Sequence, residues 1–256
     1  MKIMNKILIF LKMIQIVKNW NVVFFVYFGI YKKEFFSLYL KNGLKIKLRT
    51  RSTDLQAFVN VWIIKEYRIK GFEILEDDVI IDIGGHIGLF ALYASIMSPK
   101  GKIISIEPYP QNFLLLKENI INNNLNNTIF VNKAITDSNK NIELFIDTCD
   151  DAAHSIYDNG KNSICINGIT LGEIMNKNQI SKCDMLKMDC EGAEFEIIKS
   201  LSDDDLLKIE KLCLEYHLKG NNSLPLESLK NRLEKMNYHV NIKPTNNFLG
   251  MLYAKK

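Results

Sequence analysis

Three short stretches carry residue types and spacings that can do chemistry. The first is Asp82-Ile83-Gly84-Gly85-His86-Ile87-Gly88, which closes the apolar run Val79-Ile80-Ile81. Glycines at a strand end let the chain turn tightly and let a ligand press against the backbone. The spacing is D-x-G-x-x-x-G, not the G-x-G-x-x-G of a dinucleotide loop. A loop of this form takes an adenosine with an amino-acid tail and no pyrophosphate, which describes S-adenosylmethionine. Asp82 is then the expected partner of the tail's ammonium, with Gly84, Gly85, His86 and Gly88 as the cradle. Glu107 ends the following strand, where an acid accepts both hydroxyls of a ribose. Pro108 comes next, and Ala134-Ile135 ends a later strand where an adenine would lie.

The second stretch is Asp184 to Glu194, DMLKMDCEGAE. A mostly apolar strand, Met185 to Met188, ends in Asp189-Cys190-Glu191-Gly192 before a helix begins. In an open α/β sheet, ligands bind outside the carboxyl ends of the strands, so Asp189 and Glu191 are expected to face the same crevice as Gly84. Two carboxylates there can act as a general base, as metal ligands or as substrate clamps. The third stretch is Glu215-Tyr216-His217, at the end of a further strand. Its histidine is a candidate general base, since an unperturbed imidazole titrates near pH 6.5. Asp189, Glu191 and His217 are the expected catalytic set, with Glu215 facing the acceptor. A metal would want a third carboxylate beside Asp189 and Glu191; none is in register, so no metal is expected.

These stretches need a βαβ frame to hold them. Leu89, Phe90, Leu92, Tyr93 and Ile96 recur at helical spacing after the glycine loop, and Pro99-Lys100-Gly101 breaks that helix. Further strands are expected at 128–132, 141–147, 163–166, 209–216, 238–242 and 248–253, with helices at 111–122, 170–176 and 225–236. The loop between the fourth and fifth of all these strands carries His154-Ser155, candidates to close over an acceptor. Upstream, Phe35–Leu40 and Leu44–Arg49 flank Asn42-Gly43, a hairpin signal. Arg51-Ser52-Thr53-Asp54 is expected to cap a helix running to about Gly71, which puts Tyr67 over the cofactor pocket. The division is therefore residues 1–71, a helix, hairpin and covering helix, and residues 72–256, a Rossmann-like α/β domain.

Composition narrows the function classes. The chain has 256 residues, 47% hydrophobic and 24% charged, enough for one sizeable core plus an extension. Five scattered cysteines with no C-x-x-C argue against a disulfide framework or zinc knuckle and fit a reducing, cytoplasmic setting. A net charge of +4 is too mild to argue for nucleic acid. The charge is uneven, though. Residues 1–50 hold ten Lys or Arg against Glu34 alone, a net +9, so the remainder carries −5. Ile3, Ile7, Phe10, Ile14 and Val17 share one helical face in this basic segment. Val22 to Ile30 is far short of the roughly 20 apolar residues of a spanning helix. Peripheral contact with an anionic membrane surface is the weaker expectation, and docking onto the protein's own body the stronger one.

Arg51-Ser52-Thr53-Asp54, DVIIDIGGHIGLF, IEPYPQNFLLLKENI, His154-Ser155, LKMDCEGAEFEII and LEYH, in that order over residues 50–217, together resemble the FkbM-type S-adenosylmethionine-dependent methyltransferases. The K-x-D-x-E-G-x-E run, Lys187 to Glu194, is the most specific of these segments. The chain has Gly85 and His86 where the family usually carries a small residue and Asn. The resemblance implies a Class I fold, a seven-stranded mostly parallel sheet whose last strand is antiparallel. It also implies methyl transfer, commonly to a hydroxyl oxygen of a sugar or other natural product, so a small molecule or glycan is the expected acceptor. Two rival classes are a nicotinamide-dependent oxidoreductase, disfavoured by the missing dinucleotide fingerprint, and a non-catalytic module whose working surface is the basic N-terminus.

Overall fold

The structure, a computed structural model, describes residues 3–146, 162–218 and 223–256. Helices α1 (Ile3–Ile16) and α2 (Trp20–Tyr27) precede a hairpin of β1 (Phe35–Tyr39) and β2 (Lys45–Arg49). Tyr39 pairs with Lys45, so Asn42-Gly43 falls in the turn as the sequence predicts. Helix α3 (Asp54–Phe58) runs directly into a π-helical turn, Val59–Ile64. Then follow β3 (Val79–Ile83), α4 (Leu89–Met97), β4 (Lys102–Ile106), α5 (Pro110–Ile121) and β5 (Thr128–Val131). Strands β6 (Ala134–Ile135), β7 (Asn141–Phe145) and β8 (Ser163–Ile169) form a small separate sheet in the order β6-β8-β7. The chain returns through α6 (Leu171–Lys177), β9 (Met185–Met188), α7 (Glu194–Ser200), α8 (Asp203–Leu207), β10 (Lys211–His217), α9 (Leu224–Lys235), β11 (His239–Pro244) and β12 (Leu249–Lys255).

The main sheet has seven strands in the order β11-β12-β10-β9-β3-β4-β5. Strands β3, β4, β5, β9 and β10 run parallel, and β12 lies antiparallel between β10 and β11. This is the Rossmann-like Class I methyltransferase architecture that the sequence implies. The chain winds one way from β3 to β5 and the other way from β9 to β10. The reversal falls between β3 and β9, and their carboxyl ends carry Gly84 and Asp189. A crevice opens at such a switch point because the following helices leave on opposite faces.

Alternation along the strands builds two cores. Ile80, Ile103 and Met185 face a cluster with Val17, Leu38, Leu48, Phe58 and Trp62 from the N-terminal segment. Ile81, Ile104 and Leu186 face the opposite cluster with Ile174, Ile197, Leu229 and Leu233. Adjacent strand residues point to opposite faces, so the run Val79-Ile80-Ile81 of a strand covered on both faces is apolar at every position. The segment before residue 71 thus packs onto the sheet through the first cluster.

Two local expectations need correction. The helix expected from Thr53 to Gly71 is not one element: α3 and its π-turn end at Lys65, at φ +62°, and Glu66 and Tyr67 follow outside it. Within the expected capping stretch the Ser52 hydroxyl accepts the Asp54 N–H at 3.2 Å, Thr53 makes no side-chain cap bond, and the Asp54 carboxylate is taken by the Arg49 guanidinium at 2.7 and 3.0 Å. Met13 on α1 and Val17 just after it are buried, while Ile7 on α1 is 56% exposed. Of the expected apolar stripe, Val17 is buried, Phe10 and Ile14 are half-buried, and Ile7 faces outward.

Candidate active site

Gly84 brings the two strand ends together. At φ +76° its N–H, with that of Gly85, donates to the Ile106 carbonyl at 3.0 and 2.9 Å. A Cβ at Gly84 would stand 1.7 Å from the Asp189 carbonyl oxygen, so only glycine lets β3 and β9 close in this way. Gly88, at φ +84°, starts α4 against the Leu116 backbone on α5, where a Cβ would meet atoms at 3.1 Å. Gly88 fixes helix packing and is not part of the cavity lining. The cavity at this switch point has a volume of about 320 Å³.

Glu107 is buried at the end of β4 and lines the cavity. Its Oε2 accepts the His86 N–H at 2.8 Å and its Oε1 the Tyr109 N–H at 2.9 Å. These two bonds aim the carboxyl, while burial pushes its pKa up to about 7 against their effect. Tyr67, Gly84, Gly85, His86, Pro108 and Ala134 all line the same cavity. Tyr67 packs edge-on against Phe90, ring centres 5.0 Å apart. His86, at φ +49°, turns its ring out to the Arg49–Asp54 pair: Nε2 lies 3.1 Å from the Arg49 guanidinium and 3.4 Å from Asp54. The Arg49–Asp54 pair thus braces the loop from outside.

Asp82 departs from its expected position. It is fully buried behind the lining, where Ser105 donates to Oδ2 at 2.8 Å and Lys187 Nζ pairs with Oδ1 at 3.1 Å. It is committed inside the protein and is not among the residues that line the cavity. Lys187 is the residue that sequence reasoning passed over. Its ammonium, buried in the wall, also donates to the Gly84 carbonyl at 2.8 Å and lies over the rings of Tyr67 and Phe90. A lysine in the middle of a buried strand was the available signal, because such a charge needs a partner.

Asp189, Glu191 and Glu215 line the cavity with Glu66. Burial, reinforced by the charge of Asp189, pushes Glu66 and Glu215 up to about 7. Burial and the charges of Asp189, Glu194 and Glu215 push Glu191 up to about 8, despite His217. His217 stands between two carboxylates: Nδ1 is 3.2 Å from Glu194 Oε1 and Nε2 is 3.4 Å from Glu191 Oε2. Burial alone would lower its pKa, but the Glu194 bond and the charges of Glu194, Glu191 and Asp189 outweigh that and hold it at about 9. The imidazole, favoured as its cation, is thereby a charge partner for both carboxylates. His154 and Ser155 lie outside the described residues.

These shifts have a common sign in stability. Four buried carboxyls with raised values take up protons in the folded state before the unfolded chain does. Folded stability is therefore lost as pH rises from about 4.5 through 7–8. His217 adds stability below pH 6.5 that is lost as pH rises through about 9, in the same direction. The ligand-free protein is expected to melt several degrees higher at about pH 5.5 than at about pH 8.5. Thermal unfolding followed by circular dichroism at the two pH values checks this, and an equal or inverted order would remove the buried-carboxyl account.

The lining is short of positive charge: five carboxyls face the cavity, while Lys187 is engaged with Asp82 and Lys133 is the other lysine in the lining. A cationic ligand with a sulfonium and an ammonium suits this, with Glu107 positioned for a diol and Ile83, Ile106, Ala134 and Ile135 offering an apolar wall for a base.

The family model described as "Methyltransferase FkbM domain" matches residues 82–240, more than half of the chain. "Methyltransferase 1" of Beauveria bassiana is 23% identical over 209 residues, covering 70% of this chain and 78% of that protein. "Hexuronic acid methyltransferase AglP" of Haloferax volcanii is 26% identical over 172 residues, covering 64% of this chain and 69% of that protein. The solved structure of M. jannaschii TYW2 in complex with AdoMet aligns with a TM-score of 0.46 at 18% identity, over 88% of this chain and 85% of that one.

Proposed function

The chain belongs to the FkbM family of methyltransferases, and from that premise we propose that it methylates a hydroxyl oxygen on a neutral sugar or glycan. S-adenosylmethionine is its cofactor and supplies a methyl group on a sulfonium. Glu107 with the Gly84–His86 loop would hold the cofactor's adenosine side. The observation that supports a sugar acceptor is the ring of Glu66, Asp189, Glu191 and Glu215 in the cavity lining. Carboxylates accept hydrogen bonds from neighbouring hydroxyls and so fix a polyol's orientation. Glu215 and Glu66, at about 7, sit where a general base works at neutral pH, and the acceptor's proton passes to one of them. His217 holds Glu191 in place as its charge partner.

The same acidity argues for selectivity. The Haloferax volcanii relative is by name a hexuronic acid methyltransferase. A uronate entering this lining would bring one more negative charge to carboxyls that already repel each other. Neutral hexoses and their glycans are the expected acceptors, at least tenfold better in kcat/KM than the matching hexuronic acids. A panel of both, incubated with cofactor methyl-labelled with carbon-13, checks this by NMR of the product methyl. Methylation on nitrogen or carbon, or preference for the uronic acids, would overturn the reading.

We also read the N-terminal helices as the face that brings the enzyme to acceptors carried on an anionic lipid surface. Ile7, Leu8 and Leu11 on α1 and Trp20, Phe24, Phe25, Tyr27 and Phe28 around α2 are all 39–63% exposed. The aromatics touch one another, Phe24 to Phe28 at 4.5 Å and Tyr27 to Phe28 at 5.2 Å between ring centres. A large apolar patch in a segment carrying +9 suits the interface of an anionic bilayer. No helix among the described residues is long and apolar enough to cross a membrane. The full chain is expected to sediment with phosphatidylglycerol-containing vesicles, more weakly with pure phosphatidylcholine, and to lose both in Phe24→Ser/Phe28→Ser. Light scattering that shows a dimer broken by the same substitutions, with no vesicle binding, would assign the patch to a second copy instead.

A further inference from the structure

We propose that Asp189, Glu191 and His217 form a divalent-cation site at the wall of the cofactor cavity. One ligand atom from each residue lies within 4.8 Å of the other two. A six-coordinate ion with bonds of about 2.1 Å needs its ligand atoms about 3.0–4.2 Å apart. Side-chain shifts of well under an ångström bring the three into that range. Asp189 and Glu191 follow directly on the end of β9; the third ligand, His217, ends β10, which the sheet places beside β9. Carboxylates leave the strand ends and the imidazole completes a set of two oxygens and one nitrogen, suited to Mn²⁺ or Mg²⁺ with open positions for water or an acceptor oxygen.

A second, independent feature is the support behind His217. Glu194 is fully buried and its Oε1 accepts the N–H groups of Cys190 and Gly192 at 3.0 and 3.1 Å. Thus anchored, it faces Nδ1 of His217 at 3.2 Å, so that nitrogen carries the hydrogen and Nε2 is the atom turned toward Glu191. A carboxylate behind one imidazole nitrogen, orienting the other, is how proteins set a histidine for a metal. Glu191 is held at φ +53°, a conformation that costs a non-glycine residue of order 1 kcal/mol or more and that aims its carboxylate at Nε2. Asp189 and Glu191 line the cofactor cavity, while His217 lines a neighbouring one of about 400 Å³. An ion here lies where the two meet.

The inference deepens the proposed function and rests on it for the ion's purpose. On binding, a proton leaves Nε2 for solvent and the dication takes its place among the carboxylates. An acceptor hydroxyl on the ion then gives its proton more readily to Glu215 or Glu66. The test uses Mn²⁺ alone, titrated into the full chain after chelator treatment and followed by electron paramagnetic resonance. One saturable site is expected, with nitrogen-14 coupling from the imidazole in the spin-echo spectrum. Glu191→Gln and His217→Gln should each weaken it at least tenfold, and Glu118→Gln on the surface should leave it unchanged. Absence of a saturable site in the wild type at millimolar Mn²⁺, or a site without nitrogen coupling, overturns the proposal, whether or not the variants fold. Methyl transfer that continues undiminished in chelator would leave the sugar reading standing and remove the ion.

Discussion

Lys187→Met is expected to lower the unfolding free energy by about 3–5 kcal/mol, the usual effect of stripping one partner from a buried ion pair. The lysine's Nζ is 3.1 Å from Asp82 Oδ1, with side-chain exposures of 4% and 0%. Burial works against the ammonium, but Asp82 and Asp189 outweigh it and keep the pKa raised, so the charge stays. Methionine has nearly the same length and fills the space beside Tyr67 and Phe90, so packing loss is small. What remains is the Asp82 carboxylate inside the wall with only the Ser105 hydroxyl for company. Urea unfolding at pH 7 measures the loss. The double variant Asp82→Asn/Lys187→Met should recover a large part of it, because the stranded charge is gone. A single-variant loss below about 1 kcal/mol, or no recovery in the double, would show that the pair does not hold β3 to β9.

Much of this site is legible from local pattern. A β-branched run, a glycine turn and an acid at the end of the next strand are local signals, and the sheet places all three at the switch point. The hairpin at Asn42-Gly43 is legible for the same reason, whereas the antiparallel last strand follows only from the family resemblance. Asp82 was misplaced because spacing gives the strand position of a residue but not which way its side chain points. In a strand buried on both faces, the side of the wall on which a carboxylate falls depends on the neighbouring strand, here Lys187 on β9. The role of His217 depends similarly on Glu194, distant in sequence by 23 residues. The two acidic partners of an imidazole at a strand end are not visible in local spacing. The π-turn at Val59–Ile64 is a departure from helix that apolar spacing cannot reveal, yet it delivers Glu66 and Tyr67 to the cavity.

Glu107→Ala is expected to weaken S-adenosylmethionine binding by about 10- to 100-fold, or about 1.4–2.7 kcal/mol. Two losses combine. The ribose acceptor goes, and the N–H groups of His86 and Tyr109 lose the carboxyl that held the glycine loop and the start of α5 in register. Unmade bonds to buried donors cost about 1–3 kcal/mol each in a dry site, less where water enters the emptied space. Glu107→Gln is not a neutral substitute. Both carboxyl oxygens accept from backbone donors, so an amide must turn its NH2 toward one of them, and an intermediate loss follows. The pH dependence gives an independent check. Burial holds the Glu107 pKa at about 7 in the ligand-free protein, and a bound cation favours the ionised form. Binding should therefore release protons near pH 7, and affinity should rise between about pH 6 and pH 8. Calorimetry in two buffers of different ionisation enthalpy counts those protons, and the count should fall in Glu107→Ala. Affinities within threefold of wild type in both variants, with an unchanged proton count, would move the ribose contact away from Glu107.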